Sequence, residues 1–120
     1  MKESILNQKA FEFASNMVLF YENYSKTHKD NTISKQLLRS GTSIGANINE
    51  AQYGHSKNDF ISKLHISLKE TGESIYWIKL LKNTRLLNKE EANKLLFEAE
   101  EIKRILIASL NTVKKWKNEM

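Results

Sequence analysis

A chain of 120 residues with no cysteine has room for a single domain over residues 1–120 and offers neither disulfides nor thiolate metal ligands. Its longest apolar run, Met17 to Tyr21, is five residues, far short of the roughly 18 that span a bilayer. With no signal-like pattern after Lys2 and Glu3, the expectation is a cytoplasmic protein without membrane contact. The net charge of +5, from 19 basic and 14 acidic residues spread along the chain, suits a polyanion partner and equally suits a plainly solvated surface.

No proline interrupts the chain, so long helices are permitted throughout. From Ser4 to about Tyr24, Ile5, Leu6, Phe13, Met17, Phe20, Tyr21 and Tyr24 recur at three- and four-residue spacing, which predicts a first amphipathic helix. Residues 25–31, "SKTHKDN", contain no apolar side chain and read as a loop. Asn31 or Thr32 then caps a second helix carried by Ile33, Leu37, Ile44 and Ile48 and ending near Gly54. Ser56 with Asp59 three residues on is a variant capping box, opening a third helix with a stripe of Phe60, Leu64, Leu68, Ile75, Ile78 and Leu81. Asn88 and Glu91 repeat that start signal for a fourth, seamed by Leu95, Ala99, Ile102, Leu106, Leu110 and Val113. Short connections make successive helices antiparallel, so the expected fold is an all-α, up-down-up-down four-helix bundle.

The second helix carries unusual residues. Gly41 and Gly45 lie four apart on one face, and each glycine costs about 1 kcal/mol relative to alanine inside a helix. Such spacing admits a second backbone at close range, either within the bundle or between subunits. Arg39, Ser43, Asn47 and Glu50 form a polar stripe beside it. With the turn centred near residue 55, antiparallel pairing sets Arg39 against Glu70 and Thr71, and Ser43 against Ser67. The expectation is a polar zipper between the second and third helices, a structural network of Arg39, Ser40, Ser43, Asn47, Glu50, Glu70 and Glu73 that sets register more than it stabilises.

These same residues carry a family likeness. "RSGTSIGANINEA" (39–51) followed by "DFISKLHISLKETGESIYWIKLL" (59–81) resembles the four helix bundle protein family first met as open reading frames inside intervening sequences of 23S ribosomal RNA genes. The family's Arg-Ser, Ser-Ile, Asn-Ile and acidic positions fall on Arg39 and Ser40, Ser43 and Ile44, Asn47 and Ile48, and Glu50. Its Phe-plus-Leu start, glutamate pair and Trp-Leu/Ile position fall on Phe60 and Leu64, Glu70 and Glu73, and Trp77 and Ile78. The resemblance implies a four-helix bundle assembled as a ring-like homopentamer. A relative, the accessory variability protein of diversity-generating retroelements, is a basic pentamer that binds nucleic acid and a reverse transcriptase.

Catalytic chemistry is not indicated. His28, His55 and His65 fall in a loop, a turn and a helix, without the Glu-x-x-His pairs of a bundle di-metal site, so no metal or cofactor is expected. Glu70 and Glu73 read as ion-pair partners of Arg39 rather than as acid and base, and Ser40 and Ser43 have no activating histidine. Trp77 and Leu80 share a lateral face suited to a subunit contact. Lys103, Arg104, Lys114, Lys115 and Lys117, around Trp116, form the candidate nucleic-acid surface. The expected function is a non-enzymatic homo-oligomeric module for RNA, DNA or a nucleic-acid-processing protein. The alternative is an oligomeric scaffold for a protein partner without nucleic-acid contact.

Overall fold

The computed structural model describes residues 4–119, with side chains through Lys115. Four helices follow in order: α1 (Ile5–Thr27), α2 (Thr32–Ala51), α3 (Lys57–Asn83) and α4 (Lys89–Glu119), with no strand among the described residues. Three starts are fixed by short side chains at their caps. Ser4 accepts from the Asn7 amide, Ser56 from the Asp59 amide and Asn88 from the Glu91 amide, each satisfying a helix-end donor.

Two boundaries differ from the sequence reading. The first helix extends through Thr27, so Ser25–Thr27 leave the loop; the His28 amide still bonds to the Tyr24 carbonyl, and the His28 ring stacks on Tyr24 at 3.7 Å. At α2, neither Asn31 nor Thr32 supplies the side-chain cap. The Asn31 amide oxygen receives the hydroxyls of Ser25 and Ser34 instead. Asp30 takes the vacant role, accepting from the Thr32 amide at 2.9 Å and its hydroxyl at 2.7 Å. Those bonds hold the Asp30 carboxyl below its ordinary value. At its other end α2 stops at Ala51, three residues before Gly54, where Gln52 and Tyr53 tighten into three-residue turns.

Sequential neighbours run antiparallel, and α4 closes the square against α1. Lys9 reaches Glu101 while Asn16 reaches Glu98, so positions rise on α1 as they fall on α4. One apolar cluster fills the centre, with Ala10, Phe13 and Met17 from α1, Leu37 and Ile44 from α2, Leu64, Ile78 and Leu81 from α3, and Ile102 and Leu106 from α4. Phe60 and Leu68, expected in the stripe of α3, pack only half-buried at its margin.

Candidate interaction surfaces

The polar seam between α2 and α3 is built from fewer residues than their shared face suggests. Arg39 forks across it, one guanidinium nitrogen 3.1 Å from Glu70 and the other 2.5 Å from Glu73. Its hydrogen bond holds the Glu73 carboxyl below its ordinary value, against the opposing effect of burial and with help from the Trp77 indole N–H. One residue further along each helix, and buried, the Ser40 and Ser74 hydroxyls meet at 2.8 Å, and Ser74 donates on to the Glu70 carbonyl. Ser67 crosses to the Ile44 carbonyl at 3.0 Å, and Lys63 bridges to Glu50 at 2.8 Å. Fully buried Ser40, Ser67, Thr71 and Ser74 therefore leave no unpaired side-chain polar atom among the described residues.

Ser43 and Asn47 do not join this seam. The Ser43 hydroxyl returns to the Arg39 carbonyl and the Asn47 amide to the Ser43 carbonyl, both four residues back on α2. Short polar side chains reach their own helix before they reach a neighbour, so sharing a face with Arg39 was insufficient. Thr71 likewise bonds to Ser67 of its own helix rather than to Arg39.

The two glycines of α2 face α1 inside the same chain. A methyl group at Gly41 would lie 2.5 Å from Met17 Cγ and 3.3 Å from the Phe13 ring, so this position is demanded by packing. At Gly45 a methyl would sit 3.4 Å from the Ala10 carbonyl oxygen and 3.6 Å from its Cβ, ordinary contact that tolerates alanine. Gly72, on exposed α3, has nothing within 4 Å of such a methyl.

The basic residues of α4 point away from the core. Arg104, Lys114 and Lys115 are exposed and Lys103 is half-buried; the side chains of Trp116 and Lys117 lie outside the described residues. None of the four takes part in an ion pair among the described residues, whereas Arg39, Lys9 and Lys63 do. Trp77 and Leu80 are half-buried at the margin of α3. Aromatic side chains that sequence reasoning passed over stand in the open: Phe11 is 72% and Phe97 66% exposed. Phe97 falls off the Leu95–Ala99–Ile102 seam, which was the available signal.

Among the described residues no group of three His, Asp or Glu side chains is placed to hold a metal ion. No described helix is long and apolar enough to cross a membrane. A cleft of about 520 Å³ between Leu6, Ile48, Phe60, Leu64, Ile105 and Val113 has only apolar and neutral polar walls, without acid or base.

A family model described as 23S rRNA-intervening sequence protein matches residues 2–108. The chain belongs to this family. A crystal structure described as a protein of unknown function from the S23 ribosomal protein family of Bacteroides thetaiotaomicron is 42% identical. It superposes with a TM-score of 0.86, covering 88% of this chain and 98% of that one. Comparison with curated proteins yields no match. The matched span takes in the whole α2–α3 seam and most of α4, but stops short of Lys114 and Lys115.

Proposed function

We propose that this member of the 23S rRNA-intervening sequence protein family acts without catalysis. It works as a homo-oligomeric basic module, pentameric by family likeness, that engages RNA, DNA or a protein that processes them. The carrying observation is the acid-free run of residues 103–115 on α4, where Lys103, Arg104, Lys114 and Lys115 have no ion-pair partner among the described residues. Cations without protein partners are free to replace the counterions of a phosphate backbone. Assembly strengthens the effect, because five copies of a +5 chain carry +25 on one particle and present their cations at high effective concentration.

Electrophoretic mobility shifts with generic RNA and DNA at low and at physiological salt test the reading. A shift at low salt that weakens at the higher one is expected. No shift at either overturns it and leaves the protein-binding scaffold as the better account.

A further inference from the structure

The square of helices does not close at one end. Lys9 stands against Glu101 and Asn16 against Glu98, pairs whose numbers total 110 and 114, so Ile5 at the start of α1 falls against residues 105–109 of α4. Beyond that level α4 runs on to Glu119 with no described turn of α1 facing it. The second helix stops at the same level, because Gly45 lies beside Ala10 and this register sets Ala51 beside Ser4. The shortfall of α1 and α2 opens the cleft of about 520 Å³, to which all four helices contribute. Core side chains make its floor: Leu6, Ile48 and Leu64 are buried, with Phe60, Ile105 and Val113 half-buried around them.

Two polar side chains set into this apolar wall lack partners. A serine or threonine within a helix commonly returns its hydroxyl to the carbonyl four residues back, as Thr112 does to Ala108. Ser109, on the same wall, makes no such bond and has no hydrogen-bond partner among the described residues. The Asn7 side chain has none either; only its backbone amide is engaged, with Ser4. Both residues are half-buried. No charged residue lines the cleft among the described residues, since His55 and Lys57 belong to the adjoining groove past Ser4 and Gln52.

We propose that this cleft binds an uncharged, mainly apolar small molecule bearing one hydroxyl, carbonyl or amide group. Its volume lies within the roughly 300–1,000 Å³ of small-molecule sites, whose usual composition is an apolar lining with a few polar groups that orient the ligand. The hydrocarbon body covers Leu6, Ile48, Phe60 and Leu64, and removal of that surface from water drives association. Asn7 and Ser109 exchange water for the ligand's polar group. A charged group there would lose hydration without gaining an opposite charge, which selects a neutral ligand. None of Lys103, Arg104, Lys114 and Lys115 lines the cleft, so the site is independent of the nucleic-acid reading.

Diphenylhexatriene, an uncharged hydrocarbon that becomes fluorescent on leaving water, is the probe. Its emission should rise saturably with the wild type. Decanol should displace it at lower concentration than decanoate or decylamine, both charged at neutral pH. Ala108 is exposed on the cleft wall, and A108W, which fills the opening from outside the core, should abolish the rise with an unchanged melting temperature. N7A/S109A should keep the probe and weaken displacement by decanol at least about fivefold, the loss of one neutral hydrogen bond. No rise with the wild type overturns the proposal and is the result expected if another part of the chain fills the cleft. A rise that A108W leaves intact, equal displacement by charged and neutral competitors, or an N7A/S109A variant that behaves as wild type overturns it as well.

Discussion

At the scale of single residues, the glycines separate into those that packing demands and those it does not. Gly41 abuts Met17 and Phe13, both essentially without solvent exposure, so a methyl there must displace core atoms. Gly41→Ala should lower stability by about 1–3 kcal/mol, the usual range for overpacking. Gly72→Ala meets open space on a helix surface and should raise stability by about 1 kcal/mol through helix propensity. Denaturant melts of both variants check the contrast; a loss at Gly72 comparable to that at Gly41 would contradict it. The Arg39 fork carries a pH signature. Because Glu73 titrates below its ordinary 4.5 in the folded chain, its contribution is complete above that value. It is lost as pH falls through the lowered folded value. The stability gap between wild type and R39M should therefore narrow on acidification below about 4.5, followed by thermal melts across that range. A gap that is constant with pH would mean that the pair contributes nothing specific to the ionised carboxylate.

At the scale of elements, the turn from α3 to α4 stores one strained residue. Arg85 has φ of 62°, in the left-handed region, while the Leu86 and Leu87 amides both return to the Leu81 carbonyl and close the helix end. Glycine is the residue ordinarily found there, since it lacks the Cβ that makes this conformation unfavourable. Arg85→Gly should stabilise the chain by about 0.5–1 kcal/mol, readable as an upward shift in denaturant midpoint with unchanged slope. The four helices, and the caps at Ser56 and Asn88, were legible in the sequence because periodicity and capping are local. The partners across the α2–α3 seam were legible only where a long side chain had to leave its helix, as at Arg39. Ser43 and Asn47 share that face yet bond backwards, while Ser40, expected in the network, meets Ser74, which was not. Asp30 displaced Asn31 as the cap of α2 because the Asn31 oxygen accepts instead from the hydroxyls of Ser25, six residues before it, and Ser34, three residues after it. The exposure of Phe97 was legible in its spacing, off the Leu95–Ala99–Ile102 seam, but spacing alone does not say what an exposed aromatic side chain meets.

At the scale of the whole molecule, acids and bases are distributed unequally between internal and external use. The α2–α3 seam and the α1–α4 contact hold Arg39, Lys63 and Lys9 against glutamates, and the basic half of α4 is left to face outward. Phe97 and Ile107 stand exposed on that same outer surface. This helix belongs to the bundle through Ala92, Leu95, Ala99, Ile102, Leu106 and Leu110, and its other faces are free for recognition without disturbing the core. Alanine in place of Lys103, Arg104, Lys114 and Lys115 should therefore leave the fold unchanged and weaken polyanion binding.

Fluorescence anisotropy with a labelled single-stranded RNA, titrated across a salt series, tests the basic surface of α4 most directly. Comparing the wild type with K103A/R104A/K114A/K115A, the logarithm of affinity should fall with the logarithm of salt for the wild type. In the variant that slope should be shallower by about 3, four phosphate contacts at roughly 0.7 each for single strands. Equal slopes for the two proteins, or no binding by the wild type at low salt, would contradict the account.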